Sequence, residues 1–382
     1  MRTRVLAAFV AVTLVMVAGW WAPVLVAQAP SGTKTFDATV TNTDAAIKAA
    51  AEAAKAAEAI KNWTPPKTPW GDPDLRGYYL LATYTPLERP KDLANKPFFT
   101  LDEAIATFRK AVEADAEVDP RTVHYDWKEY GMDAWQAGAK PNLRTSLIVD
   151  PPDGRIPPLT PEAQKRRAAA AAAARLRNPA AGVLTYPNFY TRCVMGLSGG
   201  MPLVRGGQLG SDSAAGAAGV SAESHFVQTP GYLVIVTQSN SDVRIIPLDG
   251  RPHLPQNMRT WLGDSRGHWE GNTLVVESTN FNDKAPGANY QGSTENLRMI
   301  ERFTLAGPNT LRYEFTVTDP QTWTRGWSAE VPIPRIDPPI YEFACHEQNY
   351  GLMNVVMGTQ VREKEAAAKG QTARPAFGGG ER

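Results

Sequence analysis

The chain has 382 residues, 43% of them hydrophobic, enough for one large or two ordinary buried cores. Its 40 Lys plus Arg are balanced by 39 Asp plus Glu, so no global field favours nucleic acid or an anionic membrane surface as a partner.

Residues 1–29 read as a secretory signal peptide. Arg2 and Arg4 lead, an apolar run extends from Val5 to Trp21, and Ala27 and Ala29 supply a small-residue end. The alternative is an uncleaved anchor, since the run approaches the length of a spanning helix and Pro30 directly follows Ala29. No later run is long and apolar enough to span a bilayer, so cleavage would leave a periplasmic or secreted body without membrane contact. Cys193 and Cys345 form an even pair in an exported chain, which favours a disulfide over two buried thiols. That bond would close a loop of about 150 residues, worth on the order of 4 kcal/mol. Two thiols alone do not make a structural zinc site.

Residues 30–68 hold an Ala-rich helix, Asp44 to Trp63, and a Pro-rich linker; strong helix propensity with little apolar face predicts a spacer or a loosely docked helix. A single β-rich domain is expected over 69–362. Asp74 to Tyr84 opens it as a strand, and residues 100–118 form a helix with Thr100 as cap and Glu103 completing a capping box. RTSLIVD, Arg144 to Asp150, is a short strand ended by a Pro-Asp-Gly turn, and residues 161–177 form a second helical insertion. Its Lys165, Arg166, Arg167, Arg175 and Arg177 read as a solvated face. Residues 195–222 are a Gly-rich loop whose GGMPLVRGG lacks the Lys-Ser/Thr ending of a phosphate loop. Residues 363–382 read as a disordered tail.

From His225 onward, short alternating segments predict strands: HFVQT, YLVIVTQ, VRIIPL, GHWE, TLVVESTNF, NLRMIERFT, TLRYEFTVTD, TWTRGWSAEVPI and IYEFACHE. The fold class is mainly β, a lipocalin-like antiparallel barrel or curled sheet with peripheral α-helical insertions.

PWGDPDLRGYY followed by this meander resembles the first strand of lipocalin-type barrels, where a Gly-x-Trp closes the barrel floor; Tyr79 stands here in place of the Trp. KTPWGDPDLRG, VDPPDGRIPPLT, RIIPLDGRPHLP, GDSRGHWEGNTLVVESTNF and YEFACHE resemble, over most of the chain after Lys67, an uncharacterised family of exported bacterial proteins. That resemblance implies export and a shared body, and carries no activity.

GDSRGHWEGNTLVVESTNFND, Gly263 to Asp283, concentrates the polar chemistry. Glu270-Gly271-Asn272 is a tight turn in which Gly and Asn are expected at positive φ. Five successive predicted strands each carry one glutamate near the middle, at Glu277, Glu301, Glu314, Glu330 and Glu342, which would align as a carboxylate row on one sheet face. Pairing with Arg298, Arg302, Arg312 and Arg325 on an exposed face is one reading. A row facing a barrel lumen would instead raise a carboxyl pKa and make Glu277, Glu301 or Glu314 a general base, with His268 or His346 as acid. His253, His268 and His346 lack the spacing of a metal motif, so neither a metal nor another cofactor is assigned. Ser198 in GLSGG is only a partial echo of a nucleophile elbow.

The loops PLDGRPH and GDSRGH each combine Asp, Arg and His, which at a barrel mouth would fix a small ligand over an apolar cavity. The first reading is therefore an exported small-molecule-binding protein with a partly apolar or carbohydrate-like ligand, contacted by Asp249, Arg251, His253, Asp264, Arg266 and Trp269. A hydrolase, lyase or isomerase on the same scaffold is the alternative, and an envelope protein whose Ala-rich helices bind a partner is a third.

Overall fold

The computed structural model describes residues 43–60, 63–116, 134–136, 138–176, 193–194, 203, 223–238, 241–282, 293–337, 340, 342–347 and 350–370. In chain order these hold α1 (Thr43–Ala59), β1 (Gly77–Leu80), α2 (Leu101–Ala116), β2 (Ile148–Asp150), α3 (Pro161–Leu176), β3 (Glu223–Thr229), β4 (Tyr232–Thr237), β5 (Val243–Pro247), β6 (Asp264–Glu270), β7 (Thr273–Thr279), β8 (Arg298–Gly307), β9 (Thr310–Thr318), β10 (Trp327–Ile336) and α4 (Tyr350–Ala368). The signal segment 1–29, the Gly-rich loop 195–222 apart from Leu203, Ser198, Arg177 and residues 371–382 lie outside the described residues.

The mainly β expectation holds. Ten strands form one sheet in the order β5-β4-β3-β1-β10-β9-β8-β7-β6, with β2 pairing β10 off that path. Every ladder is antiparallel. The alternating pattern sets the faces: on β9, Leu311, Tyr313, Phe315 and Val317 turn inward while Arg312, Glu314 and Thr316 turn out.

Of the expected alternatives, a barrel or a curled sheet, the closed barrel does not form, because the end strands β5 and β6 are not hydrogen-bonded to each other. The two ends still approach. A Cβ on Gly267 of β6 would lie 2.6 Å from Leu248 Cδ2 and 3.2 Å from Ile246 Cγ2, so any larger residue would push these side chains of the β5 segment aside. Arg244 of β5 reaches Ser265 of β6 at 3.3 Å and thereby spans the seam.

A file of rings fills the space where a lumen was expected. Tyr79 meets Phe226, Phe226 meets Phe303, and Phe303 meets Tyr313 at centroid distances of 4.8, 5.8 and 5.1 Å. Phe315, Trp327 and Trp323 continue the series. Burial of these rings gives the sheet its main core, since each removes a large apolar area from water. Tyr79, in the place of the expected Trp, is fully buried and donates its hydroxyl to the Leu75 carbonyl at 2.9 Å.

A second core lies beside the first. Ile47 and Ala50 of α1 pack with Phe108 and Val112 of α2, Leu80 and Tyr84. Of the two expectations for the Ala-rich helix, a spacer or a docked helix, the packing is that of a docked one, since Ile47 on a face of alanines keys α1 into a helix pair. The capping box of α2 forms as read: the Glu103 amide donates to Thr100 Oγ1 at 3.3 Å and the Thr100 amide to Glu103 Oε2 at 2.8 Å.

Three further readings change. IYEFACHE is not a strand among its described residues, and Cys345 in it is tied by the disulfide to Cys193 instead of pairing in the sheet. The helix α4 runs to Ala368, into the stretch read as a tail, since VREKEAAA is rich in helix formers. At the β6–β7 turn, Gly271 takes φ +61° whereas Asn272 does not take positive φ, the pattern of a type II′ hairpin. Cys193 and Cys345 are disulfide-bonded, with Cα atoms 5.7 Å apart.

Candidate functional site

The loop from Asp249 to Leu262 joins β5 to β6 and is held in place from beneath. Asn280, at φ +57°, donates its side-chain amide to the carbonyls of Leu254, Pro255 and Met258 at 2.9, 3.0 and 3.2 Å. The Thr260 amide donates to the Asn280 carbonyl and the Asn282 amide to the Thr260 carbonyl, locking the end of the loop onto the strand segment after β7. Gly263, at φ +71°, then turns the chain into β6; a Cβ there would sit 2.7 Å from the Phe281 ring and 2.8 Å from the Thr279 carbonyl.

On this support stands a carboxylate-centred cluster. Asp264 is buried, and its Oδ2 meets His253 Nδ1 at 2.8 Å and accepts the Leu254 amide at 2.9 Å. Its Oδ1 accepts from Arg266 Nη1 at 2.6 Å, and Arg266 Nε donates to the Pro252 carbonyl at 3.0 Å. A carboxylate beside a guanidinium can only accept, so Nδ1 of His253 carries the hydrogen. In the neutral imidazole this fixes one tautomer, with Nε2 as the remaining acceptor, and the His253 side chain is 27% exposed. Leu254, Met258 and Trp261 on the same loop are exposed.

Asp249 and Arg251 make a separate surface pair. Arg251 Nε lies 2.8 Å from both carboxylate oxygens and its Nη2 donates to the Tyr232 hydroxyl at 2.8 Å. That guanidinium, with the Arg251 backbone amide, pulls the Asp249 carboxyl down to about 2. Trp269 shares the inward face of β6 with Ser265 and Gly267 and packs against the core. Of the six predicted contact residues, His253, Asp264 and Arg266 are bonded together, Asp249 and Arg251 form their own pair, and Trp269 is turned away.

The glutamate row divides. Glu277, Glu314 and Glu330 face outward beside arginines: Arg298 Nε donates to Glu277 at 2.5 Å, Arg144 Nε to Glu330 at 2.8 Å, and Arg312 Nε lies 3.5 Å from Glu314. Glu342 is exposed and belongs to no strand. Glu301 alone turns inward, because it shares parity with Met299, Phe303 and Leu305 and lies opposite Val276 and Phe315. One face therefore never gathers all five.

Glu301 is fully buried and is held by three groups. Arg244 donates Nη1 to Oε1 at 3.1 Å and Nη2 to Oε2 at 2.7 Å, and the Tyr313 hydroxyl donates to Oε1 at 2.7 Å. The Tyr313 oxygen also accepts the Leu203 amide at 3.0 Å. Burial first, and the adjacent Glu301 charge next, keep the Tyr313 hydroxyl protonated well above the usual phenol range. This carboxylate, with its complement of donors, exposes no surface to solvent. His268 is exposed and faces Glu270 at 3.3 Å, while His346 is exposed on the segment after β10, so the five predicted acid–base residues do not converge.

No family model, curated protein or solved structure matches the chain. Among the described residues, no group of three or more His, Cys, Asp or Glu side chains is arranged to hold a metal ion, and no helix is long and apolar enough to cross a membrane.

Sequence reasoning singled out His253, Asp264 and Arg266 but missed their supports. Asn280 carried a signal, an Asn in a turn-like STNFND run, where positive φ is tolerated best outside Gly. Arg244 carried none: in VRIIP it stands where alternation alone assigns Val243 and Ile245 to the core, yet these two are exposed and Arg244 is buried.

Proposed function

We propose that the protein is an exported small-molecule-binding protein whose ligand sits on the Asp249–Leu262 loop and the start of β6. The single observation that carries this reading is the His253–Asp264 pair, a partly exposed imidazole held in one tautomer by a buried carboxylate. Nε2 would accept a hydrogen bond from a ligand hydroxyl or N–H group, and the exposed Trp261 ring with Leu254 and Met258 supplies apolar contact for a partly apolar or carbohydrate-like body. The outward site replaces the barrel chamber, because the ring file fills the interior. Export is supported by the bonded cysteine pair and by the resemblance to exported bacterial proteins; a lipocalin-like character rests on the curl of the sheet and on buried Tyr79 at its first strand.

The same pair favours a second reading, acid–base chemistry of a hydrolase, lyase or isomerase type, with His253 as base and Asp264 holding its orientation. A screen of glycans and aromatic alcohols by ligand-observed NMR, repeated with His253→Ala, tests the site. Hits lost in the variant support it, and hits unaffected by the variant overturn it. Conversion of a bound compound, followed by mass spectrometry, separates enzyme from binder.

A further inference from the structure

KTPWGDPDLRG contributes nothing to the His253 loop, yet it builds a compact strap of its own. Gly71, at φ +99°, turns the chain so that the Thr68 amide donates to the Asp72 carbonyl at 2.8 Å and the Asp74 amide to the Pro66 carbonyl at 2.9 Å. Gln228 of β3 pins the strap, accepting the Leu75 amide at 2.9 Å and donating to the Pro73 carbonyl at 3.0 Å. Asp74 and Arg76 are thereby delivered to the start of β1, beside the end of β10.

Two arginines share one carboxylate there. Arg76 donates Nε to Asp74 Oδ1 at 2.8 Å and Nη2 to Oδ2 at 2.6 Å, with its Cζ 5.9 Å from the Trp70 ring centroid. The Arg76 hydrogen bonds first, and the charge of Arg335 at longer range, hold the Asp74 carboxyl below its ordinary value. Arg335 is half-buried and lies opposite Tyr79 in the β1–β10 ladder. Its Nη2 donates to the Tyr79 hydroxyl at 3.0 Å, and a Cβ on Gly77 would lie 3.4 Å from its Cζ and Nε. Nη2 is the only guanidinium nitrogen of Arg335 with a protein partner; Nε is shielded from water and unsatisfied, and no ion pair forms to the group among the described residues. An unmade bond to a buried donor costs stability, so a native guanidinium left this way calls for a partner.

We infer that Arg335 and Arg76 form an anion site for a small monoanionic carboxylate, bound end-on at the Nη1 and Nη2 fork of Arg335. Two guanidinium charges against the one of Asp74 leave a single positive charge, which one carboxylate neutralises and a phosphate dianion exceeds. The Trp70 ring, held by its Nε1 donating to Asp72 Oδ2 at 3.0 Å, stands beside Arg76 and offers an aromatic acid a surface to lie on. No residue of the Asp249–Leu262 loop takes part, so this site stands or falls separately from the one proposed there.

Benzoate, acetate and inorganic phosphate, titrated at constant ionic strength and slightly alkaline pH into the purified chain, test the assignment by nitrogen-edited NMR of the arginine Nε–H and backbone amide signals. Benzoate should shift the Arg335 Nε–H signal and the Gly77 and Tyr79 amides, and leave the amides of residues 251–266 in place. Arg335→Met should abolish binding. Arg335→Lys, which keeps the charge but loses the fork, and Arg76→Gln should each weaken it on the order of tenfold. Arg76 is exposed, so Arg76→Gln reads the site even where circular dichroism shows that a change at 335 impairs folding. Absence of any shift at Arg335 with all three anions overturns the inference. So does benzoate binding unaltered in folded Arg335→Met or in Arg76→Gln, phosphate held more tightly than both carboxylates, or a shift confined to the loop amides.

Discussion

Asp264 Oδ2 lies 2.8 Å from His253 Nδ1, across ten intervening residues of loop, and the carboxylate is buried while the imidazole is not. This asymmetry makes Asp264 the fixed partner and His253 the group that meets a ligand. Asp264→Asn keeps the shape but turns one oxygen into a donor that faces either the Arg266 guanidinium or the Leu254 amide. A loss of about 1–3 kcal/mol is expected from the unpaired buried donors. Urea unfolding measures it, and His253→Gln, which leaves the carboxylate its other two partners, should cost less.

Glu301 and Arg244 behave differently from the outer pairs. Removing one member of a buried ion pair leaves an uncompensated charge, so Glu301→Leu alone should destabilise by about 3–5 kcal/mol. The double variant with Arg244→Met recovers most of that loss. Glu277→Ala, whose partner Arg298 is half exposed, stays within about 0.5 kcal/mol of the parent. Denaturant midpoints for the four proteins decide the matter, and equal losses at 277 and 301 would contradict the assignment of faces.

The same two glutamates show how far the sequence could be read. Alternation separated the apolar face of β9 from its polar one and the cap residues marked the start of α2, whereas β1 and α1 are shorter than read and α4 was not anticipated. For Glu277 and Glu314 the nearby arginines offered the exposed-face reading, but the lumen-facing reading stood beside it, and the sequence alone did not choose between them. Glu301 was misaligned with them because Met299 and Ile300 are both apolar, which hides the parity of β8. Arg244 was illegible for a deeper reason. Its burial depends on a partner 57 residues away and on the approach of β5 to β6, and no local pattern encodes either. The ring file that replaces the lumen has the same origin, since aromatic alternation is identical for a filled and a hollow curl. Within the proposed site, the triad of His, Asp and Arg was visible as composition; its geometry came from Asn280 and Gly263, which the chain supplies on the far side of the loop.

The disulfide joins residues 152 apart in sequence, and loop closure over that span is worth roughly 4–5 kcal/mol in the unfolded state. Reduction should lower the denaturant midpoint accordingly, as should Cys193→Ser with Cys345→Ser. Unchanged midpoints would show that the tie does not constrain the unfolded chain.

His225 gives a pH dependence of definite sign. Burial against Tyr78 depresses its pKa below the ordinary 6.5. In the unfolded chain the imidazole takes up its proton at higher pH than in the fold, so the unfolded state binds more protons between the two values. The neutral side chain's contribution is fully present above 6.5 and declines as pH falls from there to the folded value. NMR titration of the His225 ring reads the depressed pKa directly, and His225→Phe should flatten this part of the stability–pH curve.

Chemical-shift mapping of fragments onto the backbone amides tests the location of the ligand site most directly. The account predicts that binding compounds shift residues 251–266 and Asn280, and that His253→Ala abolishes those shifts without unfolding the sheet. Compounds that instead shift the amides around Glu301 and Tyr313, and bind undiminished to His253→Ala, would place the ligand inside the curl and contradict it.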